Sequence, residues 1–117
     1  MSCLSWNCHG FCNPNSAQTL QKMVRVKRPL FVFVVETFCL SNKMEEIMNL
    51  LHYDGFYSVD CVGHLGGLAS LWKSAKRVDL ISSSACYIDT EVKVDSVGIS
   101  RLTGFYGESN RSHRAFS

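Results

Sequence analysis

The chain has 117 residues, of which 46% are hydrophobic and 19% charged, with a formal net charge of +2. That bounds it to one domain of ordinary globular composition, and the charge is too mild to argue for a nucleic-acid partner by itself. The longest apolar run, Leu30 to Val35, is far too short to span a bilayer. Met1 to Trp6 has neither a basic start nor a long apolar stretch, and with six cysteines this reads as an intracellular chain, nuclear or cytoplasmic, with reduced thiols.

Cys3-Leu4-Ser5-Trp6 reads as a short strand ending at Asn7-Cys8-His9-Gly10. Asn13-Pro14-Asn15 is a turn cluster, with Asn15 or Ser16 able to cap a helix. From Ser16 to about Lys27, Ala17, Leu20, Met23, Val24 and Val26 form an apolar stripe at helical spacing. Basic Arg25, Lys27 and Arg28 suit its C-terminal end, and Pro29 stops it. Phe31-Val32-Phe33-Val34-Val35, entered from Leu30, is an uninterrupted β-branched and aromatic run, the pattern of a strand buried on both faces. The three elements make a right-handed strand–helix–strand unit whose strands are parallel and adjacent.

Glu36 follows that run directly, where open α/β sheets place their ligands, although a carboxylate there also suits the start of a solvated loop. Strands about 4.8 Å apart would bring Asn7 and Glu36 close enough to share one small ion. An amide oxygen and a carboxylate are hard ligands of the kind Mg²⁺ takes while keeping most of its waters.

A second helix is expected over Asn42 to Leu51, with Met44, Ile47, Met48 and Leu51 inward and Ser41 or Asn42 as cap. Strands are expected at Phe56–Val62 and Leu68–Trp72, joined as a hairpin through Gly63-His64-Leu65-Gly66-Gly67. Val78–Ser82, Tyr87–Val92 and about Ile99–Tyr106 follow, the last after a turn at Asp95-Ser96. Ile88, Thr90 and Val92 alternate with Tyr87, Asp89 and Glu91, as on a half-exposed sheet. The order βαβα followed by antiparallel strands gives an α/β fold with one mixed, α+β-like sheet and helices on one face.

Four stretches carry a resemblance. They are Ser5-Trp6-Asn7-Cys8-His9-Gly10; Arg28-Pro29 through Glu36-Thr37; Gly66-Gly67-Leu68-Ala69-Ser70-Leu71-Trp72; and Leu102-Thr103-Gly104-Phe105-Tyr106-Gly107-Glu108. In this order and spacing they resemble the endonuclease/exonuclease/phosphatase superfamily, and look closest to the endonuclease domain of plant LINE-type retrotransposon proteins.

The resemblance implies Mg²⁺-dependent hydrolysis of a phosphodiester in DNA. It makes Glu36 the metal ligand, and Asn7 and Tyr106 catalytic residues that also contact the substrate phosphate. Asn110 matches a further phosphate-site residue, with Arg111 beside it. His9 occupies a position that is often basic or acidic in relatives. The family's later G-D-F-N and S-D-H motifs, which supply the general base and a phosphate-site His, are not found. The expectation is therefore a single truncated domain over residues 1–117, the N-terminal half of a four-layer α/β sandwich, inactive alone and binding Mg²⁺ weakly. Its sheet would keep one bare apolar face and self-associate. The alternative is a non-catalytic remnant that binds DNA or RNA weakly or acts as a protein-interaction module, with Arg101, Arg111, His113 and Arg114 as phosphate contacts or as a solvated terminal segment.

Other features have plain readings. Cys3, Cys8, His9 and Cys12 lack a tight C-x-x-C knuckle, so buried or loop thiols outweigh a zinc site. Gly66-Gly67 lacks the Lys and Ser/Thr of a phosphate loop and suits a hairpin turn. Cys39, Cys61 and Cys86 read as core or strand thiols, Trp6 and Trp72 as core aromatics, and His64 as a turn residue.

Overall fold

Two prolines punctuate the first half of the chain. Pro14 stands at the start of helix α1 (Pro14–Lys27), where its missing N–H and fixed φ cost nothing, and Pro29 precedes the central strand. The computed structural model describes residues 2–11, 13–61, 66–73, 77–94, 98–106 and 112–116, with Val94 and the last segment described by backbone alone. His64, Asp95, Ser96, Cys12, Asn110 and Arg111 lie outside the described residues.

The elements run β1 (Cys3–Asn7), α1, β2 (Phe31–Val35), α2 (Ser41–Leu51), β3 (Gly55–Val59), β4 (Leu68–Trp72), β5 (Arg77–Ser84), β6 (Tyr87–Val94), β7 (Gly98–Tyr106) and β8 (Ser112–Phe116). They form two four-stranded sheets, β1-β2-β4-β3 and β5-β6-β7-β8. The first is mixed: β1 and β2 are parallel with Asn7 opposite Val35, while β4 runs antiparallel to both β2 and β3. The strand–helix–strand unit and the β3–β4 hairpin expected from the sequence are both present.

β2 is buried along its whole length, and its two faces have different partners. Val32 and Val34, with Ala69 and Leu71 of β4, meet Leu20 of α1 and Met44, Ile47 and Leu51 of α2. Phe33 and Val35, with Leu68, meet Ile88, and Phe31 meets Val92 and Leu102. Each such side chain taken fully out of water contributes about 1.5–3 kcal/mol. β2 is thus the shared middle of both cores.

That arrangement corrects the expected single sheet. The strands after β4 form a second, wholly antiparallel sheet stacked on the first, so the face expected to be bare is covered from within the chain. Close approach of the layers depends on Gly104, where an added Cβ would lie 2.5 Å from the Phe33 ring. The alternation in β6 places Ile88 and Val92 inward as read. β5 carries a bulge between Leu80 and Ser82, which leaves Ile81 exposed. Residues 112–116, which the sequence allowed as phosphate contacts or as a solvated terminal segment, pair with β7 as an edge strand.

Local expectations shift in smaller ways. Asn13, not Asn15 or Ser16, caps α1, its Oδ1 accepting the Asn15 N–H at 2.9 Å. Ser16 turns inward and donates to the Cys8 carbonyl at 3.0 Å, whereas Val26 of the apolar stripe is 82% exposed. Leu40 occupies the N-cap of α2 without a side-chain cap, so neither Ser41 nor Asn42 performs that role. Among the described residues no helix is long and apolar enough to cross a membrane.

Candidate functional site

The C-terminal ends of the parallel strands β1 and β2 lie side by side, and both chains turn sharply there. Glu36 has φ +56°, Phe38 φ +48° and His9 φ +52°, all left-handed and all non-glycine. Such conformations persist only when their surroundings hold them. Here the hold is a lattice of backbone hydrogen bonds. Cys8 donates to Val35 O at 3.2 Å, Gly10 to Glu36 O at 2.7 Å and Phe11 to Thr37 O at 2.9 Å. From the other side Thr37 donates to Gly67 O at 3.4 Å, and Phe38 donates to Gly66 O.

Gly66 and Gly67 are therefore part of the site's frame as well as the approach to β4. A Cβ on Gly66 would lie 2.9 Å from Glu36 Cα, and one on Gly67, at φ +92°, would lie 2.7 Å from Thr37 Oγ1. Thr37 is buried and its hydroxyl donates to Gly66 O at 3.4 Å. The buried Cys8 thiol donates to the carbonyls of Val35 and Glu36, each at 3.3 Å. Burial pushes this thiol up to about 12, so it stays protonated and serves as a donor, not a nucleophile. The sequence signal for this frame was the pairing of Glu36-Thr37 with Gly66-Gly67, and a hairpin reading of the glycines concealed it.

Within that frame the Glu36 carboxylate is 17% exposed, and Asn7 Nδ2 donates to its Oε2. The Tyr106 phenol, at the end of β7 in the other sheet, lies within reach of its charge. Burial first, then the negative charge of Glu36, raises the Tyr106 pKa, so the phenol keeps its proton. His9 is 79% exposed, with Nδ1 4.0 Å from Glu36 Oε2. Asn7, Glu36 and Tyr106, singled out on three separate strands, are brought together. Asn110 and Arg111 fall outside the described residues.

One expectation about the pair changes. Asn7 Oδ1 accepts the His9 backbone N–H at 3.1 Å, and it is the amide nitrogen that faces Glu36. The pair is not two oxygens converging on one ion; it is a carboxylate and the residue that orients it. A hard divalent cation suits the Glu36 carboxylate, which has acceptor sites beyond the one engaged by Asn7, and the exposed His9 imidazole stands beside it. Among the described residues no three His, Cys, Asp or Glu side chains group as a metal centre, Cys3, Cys8 and His9 included. A cation here would keep most of its coordination for water and substrate oxygens.

Arg101, read from the sequence as either a phosphate contact or part of a solvated segment, is engaged with Asp89. Its guanidinium bonds both Asp89 oxygens on the outer face of the second sheet, and Thr103 Oγ1 donates to the same carboxylate at 2.8 Å.

The sequence matches no family model and no curated protein. Its structure is similar to humanized D. rerio TDP2 carrying 14 mutations, at 15% identity and a TM-score of 0.49, covering 99% of this chain and 45% of that one. It is similar to the AP endonuclease LMAP from Leishmania major, at 17% identity and 0.49, covering 98% and 38%. It is also similar to an endonuclease/exonuclease/phosphatase family protein from Leptotrichia buccalis, at 15% identity and 0.49, covering 100% and 52%. The chain spans about half of the length of these proteins or less, and likeness at this level concerns fold and extends to no residue's role.

Proposed function

We propose that this chain carries the metal-binding half of a phosphodiesterase site, of the kind found in metal-dependent nucleases acting on DNA. The observation that carries the reading is the convergence of Glu36, Asn7 and Tyr106 from three strands and two sheets, on a backbone held in left-handed conformation at Glu36. Polar side chains from three strands converging on one left-handed residue are better explained by a ligand than by packing. The four sequence stretches that resemble LINE-type endonucleases favour the same chemistry and add a nucleic-acid substrate.

In this reading Glu36 holds Mg²⁺ weakly, since one carboxylate seldom binds it tightly without substrate phosphates. The ion, when bound, polarises a phosphoryl oxygen and neutralises charge on the leaving oxygen. Asn7 fixes the carboxylate rotamer through Nδ2. Tyr106, kept protonated, is placed to donate a hydrogen bond to a phosphate oxygen at the mouth of the site. Water activation needs a general base that this trio does not include, because Glu36 is committed to the metal and the phenol is protonated at neutral pH. The chain alone is therefore expected to cleave slowly or not at all.

A plasmid-nicking assay with Mg²⁺, run beside Glu36→Ala, tests this. Background nicking in both proteins is the expected result for an isolated half-site. Strong nicking by the parent chain that vanishes in Glu36→Ala would show that the trio suffices for catalysis. Strong nicking that survives the substitution would refute Glu36 as the metal ligand.

A further inference from the structure

At the opposite end of β2 from Glu36, the C-termini of both helices and the end of β4 surround an open pocket of about 640 Å³. That volume is within the range of small-molecule sites. Its floor is apolar and includes the buried residues Pro29, Leu51 and Tyr53. Its rim is cationic, with Arg25 and Arg28 from the end of α1 and Lys73 from the end of β4, and His52 stands beside them at the end of α2. Among the described residues no aspartate or glutamate lines it, and Arg25, Arg28 and Lys73 form no ion pair there.

Three unpaired cations around an apolar floor repel one another, and part of that charge has a ready structural answer. Each helix brings about half a negative charge to its C-terminus, so two helices offset about one of the three. About two positive charges remain without a counterpart among the described residues that line the pocket. The caps supply an independent sign. Arg28 (φ +47°, ψ +52°) and His52 (φ +60°, ψ +39°) both occupy the left-handed cap position at which helices ordinarily place glycine. A basic side chain stands at both, although glycine would relieve the backbone. The Tyr53 hydroxyl donates to Pro29 O, which ties the floor together.

We infer that this pocket binds a phosphomonoester with a flat apolar body of nucleotide size, its dianionic phosphate held by Arg28, Arg25 and Lys73 and its body lying on Pro29, Leu51 and Tyr53. Two charges on the ligand match the two left over on the rim, and guanidinium groups bond phosphate oxygens in pairs. The site is separate from Glu36 and does not depend on the proposed hydrolysis.

The test is an NMR titration of the isotope-labelled chain, without divalent metal, using adenosine monophosphate, adenosine and a 5′-phosphorylated oligonucleotide. Adenosine monophosphate is expected to shift the amides of residues 25–28, 30, 51–53 and 73 saturably, with adenosine binding at least tenfold more weakly. If the oligonucleotide binds at least as well as the free nucleotide, the phosphate comes from a nucleic-acid end; if it binds more weakly, the ligand is a free nucleotide. Arg28→Gly separates binding from folding, because it removes the guanidinium while relieving the left-handed cap. It should melt no lower than the parent chain and bind at least tenfold more weakly. The inference is overturned if adenosine binds as well as its phosphate, if Arg28→Gly binds unchanged, or if the shifts centre on Asn7 and Glu36.

Discussion

Asn7 presents its amide nitrogen to Glu36 across the parallel β1–β2 pair, while its amide oxygen is taken by the backbone N–H of His9. The carboxylate is thus aimed by a neutral neighbour, and its charge remains available. Replacing that neighbour by an acid tests the arrangement. In Asn7→Asp two carboxylates face each other without a donor between them. The variant should melt lower than the parent chain in chelator and regain the difference with Mg²⁺, with Mg²⁺ affinity raised at least tenfold. Thermal melts with and without the ion check this. A variant that melts like the parent chain in both conditions would mean that the two side chains do not face each other.

The glycines behind Glu36 should be the most sensitive small residues in the chain. Gly67→Ala meets Thr37 Oγ1 at 2.7 Å and Val59 O at 3.0 Å from a φ of +92°. It should cost about 2–3 kcal/mol. Gly98 has φ +87° but nothing within 4 Å of its would-be Cβ, so Gly98→Ala should cost only about 1 kcal/mol. Urea unfolding of the two variants checks the contrast, and equal losses would assign the effect to backbone conformation alone.

The stacking of the two sheets can be probed at one position. Gly104→Ala would place a methyl group 2.5 Å from the Phe33 ring. Overpacking of this kind costs about 1–3 kcal/mol. Gly104→Ala combined with Phe33→Leu should recover part of the loss, as neighbours in one contact do. Additive losses in the double variant would separate the two residues.

Acid should weaken the second sheet before the first. Hydrogen bonds from Arg101, then Thr103, hold the Asp89 carboxyl below its ordinary value despite burial. A group with a depressed folded pKa contributes stability that is present above its unfolded value near pH 3.8 and is lost as pH falls through the lower folded value. Asp89→Asn should therefore lower stability at pH 7 by about 1 kcal/mol and flatten the acid limb of the stability curve. A limb unchanged by the substitution would place the acid-sensitive group elsewhere.

Alkali acts on different groups. Burial raises Cys8 from 9.0 to about 12, and Tyr53 from 10.0 to about 12. The contribution of these two groups to folding stability should be level below pH 9 and fall as pH rises from there toward 12, as the unfolded chain releases these protons first. At pH 8 iodoacetamide should modify the exposed Cys61 and Cys86 and spare the buried Cys8 and Cys39. Early labelling of Cys8, read by mass spectrometry, would contradict the thiol's place beneath Glu36.

Much of the first sheet was legible because its signals are local. The apolar run of β2, the proline before it and the stripe of α1 place a strand–helix–strand unit without long-range information. The position of Glu36 follows from the same run. The second sheet was less legible, because the alternation in β6 tells which side is inward but not which sheet supplies the partner strands. Whether β5 joins β4 or starts a new layer is settled by Phe31 and Phe33 packing on Val92, Leu102 and Gly104, contacts that no local pattern encodes. The amide orientation of Asn7 was equally out of reach, since it depends on the left-handed turn at His9. Arg101 read as free for phosphate because its partner Asp89 lies on the neighbouring strand.

The most direct test of the account is a Mn²⁺ titration of the labelled chain, read by paramagnetic broadening of its resonances. Mn²⁺ takes the same oxygen donors as Mg²⁺. The account predicts that substoichiometric ion broadens His9, Glu36, Thr37 and Tyr106 first, and that Glu36→Ala removes this broadening while the fold persists. Broadening that centres elsewhere, or that is unchanged in Glu36→Ala, would contradict a metal half-site at the end of β2.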